Sequence, residues 1–221
     1  MLNFDKDRFI RIQSGAVAIA EMARPLMRGL LDQGIERVYF MGTGGVQLLT
    51  LPAIDLIQRH SSFPVAAFYP AQVVVDPPAG LNEKALVIIP SLSGTTRESV
   101  DLLAFLKARG VTTLSLTGHA DTPLAREASH TFTNFAEDDT SSESFCLQTL
   151  ILALALLAET GAIADYAEII ADLTSLPRLL VAAKATFEPQ AAKLAETIQH
   201  EPWHIFTGAG SVWPEANYYG M

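Results

Sequence analysis

Cysteine is almost absent from this chain. Cys146 is the only one, so no disulfide framework and no cysteine-rich metal site can be built, and a reducing, cytoplasmic setting is expected. Basic residues are scarce as well, 15 Lys plus Arg against 24 Asp plus Glu, and they form no run. The resulting net charge of −9 repels nucleic acid and anionic membrane surfaces, so neither is expected as a partner. An anionic substrate stays open, provided local backbone dipoles hold it rather than the field of the whole protein. Long apolar runs are missing too. The longest, Leu147 to Ala158, is interrupted by Gln148 and Thr149 and is too short to span a bilayer. The opening residues, MLNFDKDRFI, carry acids where a secretory leader needs a basic start and an apolar run. Charged residues make up only 18% against 49% hydrophobic ones, which allows a large apolar core and argues against disorder.

What is present alternates. Phe9, Ile12, Ala16, Ile19, Ala20, Ala23 and Met27 recur at helical spacing between Asp7 and Gln33, with Pro25 expected to kink or split the helix and Gly34 to stop it. Five short apolar runs then read as strands: Arg37 to Met41, Val65 to Tyr69, Ala85 to Pro90, Thr112 to Thr117 and Thr131 to Phe135. Helical stretches at 47–59, 97–109 and 122–128 separate most of them, and a longer one at 141–160 closes the unit. Strands alternating with helices imply βαβ units: an α/β fold in three layers, its parallel sheet of about five strands flanked by helices. The stretch 163–200 is helical in pattern, punctuated by Pro177 and Pro189, and reads as one or two connecting helices. Trp203 to Thr207 then reads as a new strand entering a second glycine turn, Gly208-Ala209-Gly210-Ser211. This repeats Val38 to Met41 running into Gly42-Thr43-Gly44. The expected organisation is a helical segment over 1–34, a domain over 35–160, a helical connector over 161–202 and the start of a second domain over 203–221.

Two turns carry chemistry. After the run Ala85 to Pro90 comes Ser91-Leu92-Ser93-Gly94-Thr95-Thr96-Arg97-Glu98, where a buried strand ends and a helix begins. Gly94 allows close approach of the backbone, the first helical N–H groups point into the turn, and Ser91, Ser93 and Thr96 add hydroxyls. A phosphate placed there meets several donors without a lysine. The same residues also fit a plain helix cap, since Thr95-x-x-Glu98 is a capping-box pattern. Gly42-Thr43-Gly44-Gly45 follows the first strand in the same way. A dinucleotide fingerprint fails there, because Gln47 occupies the third glycine position and the second strand ends Ala67-Phe68-Tyr69 with no acid for a ribose. A Walker loop fails for want of Gly-Lys-Ser/Thr.

Together, Gly42-Thr43-Gly44 after one strand and Ser-x-Ser-Gly-x-Thr-x-Glu after a later one resemble the sugar isomerase (SIS) domain family. Glu143-Ser144-Phe145-Cys146-Leu147-Gln148-Thr149 is similar to a helix start in the isomerase half of glucosamine-6-phosphate synthase, with Leu150 where that family has lysine and Gly44 where it has serine. Those two departures favour a divergent branch such as the fructosamine-6-phosphate deglycases. The resemblance implies an SIS-type fold and a ligand that is a phosphosugar or amino-sugar phosphate. It implies that Ser91, Ser93, Gly94, Thr95 and Thr96 hold the phosphate, and that Gly42, Thr43, Gly44 and Glu143 lie near the sugar. The chemistry implied is isomerase, aminotransferase or deglycase proton transfer on a ketose or fructosamine 6-phosphate, with no cofactor.

The acid and base are not identified in the chain. The resemblance implies that they lie on the first helix of a second domain, past Met221. Glu98 and Glu143 read better as helix-start residues, and Glu215 as a first-turn acid. His60, His119, His130, His200 and His204 show no metal-ligand spacing, so no metal is expected; His204, in the restarted strand, stands out most. Two rival readings remain: a phosphosugar-sensing module of a transcription regulator, and a single-domain isomerase completed by a neighbouring copy. A homodimer is expected for the enzyme readings, because a partial second domain and the apolar 141–160 helix need cover.

Overall fold

The computed structural model describes residues 4–134, 136 and 143–209. Its centre is β3 (Ala85–Ser91), buried at every position. Side chains alternate across a strand, so Leu86 and Ile88 enter one apolar cluster while Ala85, Val87 and Ile89 enter another on the opposite face. Each fully buried aliphatic side chain of this kind contributes about 1.5–3 kcal/mol. The other strands are β1 (Arg37–Phe40), β2 (Val65–Ala67), β4 (Thr112–Thr117) and β5 (His130–Thr133). All pair in parallel, in the order β2-β1-β3-β4-β5, with Phe40 opposite Ile88 and Ile88 opposite Leu114. The expected parallel sheet of five strands between helical layers is what the chain forms. Of the fifth run, Phe135 lies outside the described residues.

One helical layer contains α1 (Lys6–Ala18), α2 (Ala20–Asp32), the single turn α3 (Gly45–Leu48), α4 (Leu51–His60) and, further along the chain, the long α8 (Ser144–Glu159). The opposite face is covered by α5 (Pro70–Val75), α6 (Arg97–Lys107) and α7 (Pro123–Glu127). Helix α8 is apolar all round because it is enclosed all round, by the sheet beneath and by α1, α2 and α4. At its far end Glu159 accepts from Arg24 Nε at 2.5 Å and Arg28 Nε at 2.7 Å, tying α8 to α2. These two guanidinium groups hold the Glu159 carboxyl down at about 2. Among the described residues no helix is long and apolar enough to cross a membrane.

Two expectations, one about the first helix and one about the last strand, need correction. The first helix breaks at Ile19, not at Pro25, which sits inside α2. Pro25 and Glu21, whose carbonyl loses its donor, are both exposed, so water replaces the missing bond. Of the one or two helices open over 163–200, the chain forms one: α9 (Tyr166–Ile198) runs unbroken for 33 residues through Pro177 and Pro189. Around Pro189 the helix is alanine-rich and exposed, which offsets the local cost. Trp203 to Thr207 form no strand, and Trp203 and Ile205 are more than four-fifths exposed. An isolated strand needs a paired neighbour, and neither sheet edge takes this one up. Of the glycine turn expected after it, Gly210 and Ser211 lie outside the described residues.

Candidate functional site

The strand order creates the site. Strand β1 sends the chain to α4 on one face, whereas β3 sends it to α6 on the other. Where adjacent parallel strands diverge in this way, a crevice opens at their carboxyl ends. Here it is a cleft of ≈ 190 Å³ lined by Thr43, Val46, Pro90, Ser91, Leu92, Ser93, Thr96 and Ser99. Both turns singled out in the sequence therefore meet at one place, one on each lip.

The β3 lip is a cluster of hydroxyls. Ser91 Oγ lies 3.3 Å and Ser93 Oγ 3.4 Å from Thr96 Oγ1. The turn is shaped by Gly94, whose φ of +61° and approach to Thr122 leave no room for a side chain: a Cβ would stand 2.6 Å from that of Thr122. Its N–H donates to the Ser91 carbonyl and its carbonyl accepts from Leu124, so the turn is pinned at both ends. Gly118 N–H, donating to the Leu92 carbonyl, braces it from the β4 side. Thr95 is exposed, and its N–H is directed at Ser93 Oγ, 3.2 Å away; it supports the turn without lining the cleft.

The cap pattern is not used. The N-cap of α6 is Thr96, not Thr95, with no side-chain cap bond, so Glu98 stands one position too early for a box with the actual cap. The N–H groups of Arg97 and Glu98 have no acceptor among the described residues. They stand behind the three hydroxyls with the positive end of the α6 dipole. Among the described residues no Lys or Arg lines the cleft. The Arg97 side chain is turned out to solvent, 3.6 Å from Asp101. The arrangement can bind an anion of phosphate size through hydroxyls, N–H groups and a helix dipole.

On the β1 lip, Thr43 Oγ1 lies 3.5 Å from Ser99 Oγ, bridging the two sides of the cleft. Gly44 has φ +59° and opens α3. Gly42 N–H donates to Gln47 Oε1. Glu143 does not line the cleft; it occupies the N-cap position of α8. That helix start is held at the same end of the sheet by Asn134 Nδ2, just past β5, donating to Ser144 Oγ at 2.9 Å. Glu143 Oε2 is buried without a hydrogen-bond partner among the described residues, and burial raises its pKa above the ordinary 4.5. Among the histidines, His204 lies 3.0 Å from the Ile198 carbonyl at the end of α9 and takes no part in the cleft. No group of three or more His, Cys, Asp or Glu side chains among the described residues could hold a metal.

Two participants were not singled out from sequence. Ser99 follows Thr96 by one helical turn and is fully buried, a signal available from the α6 periodicity. Gln47 counted only as a failed glycine in a dinucleotide fingerprint, yet it is 3% exposed and bonded to the Gly42 loop.

Residues 32–158, the span that builds the sheet and both lips, match the SIS domain. The chain belongs to the SIS domain family. Over 124 residues it is 31% identical to the fructosamine deglycase FrlB of Bacillus subtilis, covering 56% of this chain and 37% of that protein. Over 193 residues it is 25% identical to the fructoselysine 6-phosphate deglycase of Escherichia coli, covering 87% and 56%. The chain thus spans between about a third and just over half of these two relatives. In fold, it superposes on the C-terminal domain of glucosamine-fructose-6-phosphate aminotransferase from Francisella tularensis with a TM-score of 0.83 at 16% identity, covering 98% of this chain and 65% of that one.

Proposed function

We propose that this SIS chain binds a phosphosugar and serves an isomerase, aminotransferase or deglycase acting on a ketose or fructosamine 6-phosphate. The observation that carries the reading is the convergence of the Ser91, Ser93 and Thr96 hydroxyls at the open N-terminus of α6, with no cation in the cleft. In this reading the phosphate accepts hydrogen bonds from those hydroxyls and from the first-turn N–H groups, and Gly94 with Thr95 sets the turn. Gly42, Thr43 and Gly44 run along the sugar. Glu143, at the same end of the sheet though outside the cleft lining, is assigned to the sugar as well, with its pKa raised by burial. Similarity to proteins named as a fructosamine deglycase and a fructoselysine 6-phosphate deglycase supports an amino-sugar phosphate over a simple ketose phosphate. It also supports an enzyme over a regulator's sensing module.

Proton transfer beside the sugar carbonyl needs an acid and a base. Neither is present among the cleft-lining residues, so both are assigned to a second SIS-like domain beginning near residue 203 or to a neighbouring copy. A homodimer in the cytoplasm suits this reading. Leu179, Phe187 and Leu194 on α9 are each more than half exposed and would gain cover in a dimer; a monomeric mass by light scattering would rule that out.

The test is a thermal-shift titration with hexose 6-phosphates, fructosamine 6-phosphates and the unphosphorylated sugars. Ligand at 100 times its dissociation constant stabilises by about 2.7 kcal/mol, readable as a rise in melting temperature. A rise with phosphorylated sugars only, lost in a Ser91/Ser93/Thr96→Ala triple variant, supports the reading. Equal response to unphosphorylated sugars would refute it.

A further inference from the structure

We propose that Gln47 is the positioning residue of the sugar-facing loop, its buried carboxamide holding residues 40–42 so that Thr43 meets Ser99 across the cleft. The proposal rests on the reading of Gly42–Gly44 as the sugar side and Ser91–Thr96 as the phosphate side.

The last ladder bond on this side of the sheet is Met41 N–H donating to the Ile88 carbonyl at 2.9 Å. Past Met41 the backbone leaves the sheet, and its polar groups need other partners. Gln47 supplies them from one turn further along the chain. Its Oε1 accepts from Gly42 N–H, and its Nε2 lies 3.4 Å from the Phe40 carbonyl and 3.5 Å from Thr50 Oγ1. Thr50, itself fully buried, donates Oγ1–H to the Gln47 carbonyl at 2.7 Å and braces the turn from behind. The carboxamide thus spans the end of β1 and the first residue of the loop.

This closeness is built in. A Cβ at Gly42 would stand 3.1 Å from Gln47 N and 3.2 Å from its Cα, so a larger residue would push the two segments a few tenths of an ångström apart. The next residue is Thr43, whose hydroxyl reaches 3.5 Å from Ser99 Oγ and lines the cleft. Gln47 itself does not line the cleft. It acts through Gly42 and Thr43, and leaves the Ser91–Thr96 turn alone. That separation makes the role testable: loss of Gln47 affects the grip on the sugar and not the grip on phosphate.

The experiment measures the affinities of inorganic phosphate and of fructose 6-phosphate for wild type, Gln47→Leu, Gln47→Glu and Thr50→Val, with exchange of the Gly42 amide followed by NMR in the ligand-free protein. Losing one buried hydrogen bond that orients the loop should weaken fructose 6-phosphate about tenfold in Gln47→Leu, with phosphate within about twofold of wild type. Gly42 exchange should accelerate in the same variant. Gln47→Glu keeps the acceptor for Gly42 N–H but sets an oxygen against the Phe40 carbonyl, so it should recover only part of both. Thr50→Val, which removes only the brace, should show the same selective loss in smaller measure, and it serves where Gln47→Leu fails to fold. Equal losses for both ligands, or no loss for either, would overturn the positioning role. Failure of the parent reading appears elsewhere, as phosphate that does not bind wild type or that still binds fully after Ser91/Ser93/Thr96→Ala.

Discussion

The hydroxyl cluster makes a graded prediction. Ser91 is 4% exposed, Thr96 is half-buried and Ser93 is exposed, so the three hydrogen bonds to a phosphate are not equal. A hydrogen bond to a charged group contributes about 1.5–3 kcal/mol, and less where water readily substitutes. Ser91→Ala and Thr96→Val should each weaken a hexose 6-phosphate by about 2 kcal/mol, roughly thirtyfold, and Ser93→Ala by about 1 kcal/mol, roughly fivefold. The three oxygens share one anion, so their losses do not add; the triple variant should lose about 3–4 kcal/mol rather than the sum. Binding should not vanish, because the Arg97 and Glu98 N–H groups and the α6 dipole remain. Isothermal titration reads the affinities, and urea unfolding of the same variants separates binding from folding. Thr96 makes no side-chain cap bond, so Thr96→Val should cost well under the ~1 kcal/mol that loss of a capping hydroxyl costs. A Ser91→Ala and Thr96→Val pair that bind within twofold of wild type, or that lose about 1 kcal/mol of stability and no affinity, would restore the plain-cap interpretation.

Other outcomes follow from the same geometry. Glu143 has its pKa raised in the fold by burial, so its contribution is favourable below about pH 4.5 and is lost as pH rises through the folded value. Glu143→Gln should therefore be more stable than wild type at pH 7, with the difference closing in acid, as read by thermal melts across pH. Glu159 is the opposite case, held low at about 2 by Arg28 and Arg24. Its clamp on α2 is present above pH 4.5 and is lost as pH falls toward about 2, so Glu159→Gln should destabilise at pH 7 and match wild type near pH 2. Gly94→Ala, forced to φ +61° against Thr122, should cost about 1–2 kcal/mol in backbone strain alone and should also weaken phosphate binding. Denaturant unfolding with phosphate titration checks both effects.

The β3 run Ala85 to Pro90 was legible as a buried strand because both of its faces had to be apolar, and the turn after it because only glycine and hydroxyl residues suit such a place. The same physics made Gly42-Thr43-Gly44 recognisable. Pro25 misled because the chain there is exposed: it reads as a break, but water replaces the bond it removes. Trp203 to Thr207 carried strand propensity without a partner, and propensity alone does not make a strand.

Local patterning therefore determined the elements, the layer architecture and the two functional turns, since periodicity and turn chemistry act over a few residues. Only the tertiary structure decided the strand order, and with it that the turns after β1 and β3 share one cleft. It also decided that Thr95 and Glu143 stand outside that cleft, and that Ser99 and Gln47 are buried beside it. A serine or glutamine near a helix start looks the same in sequence whether it faces water or a loop. The difference arises from contacts between segments far apart in the chain, and those exist only once the sheet has brought β1 and β3 together.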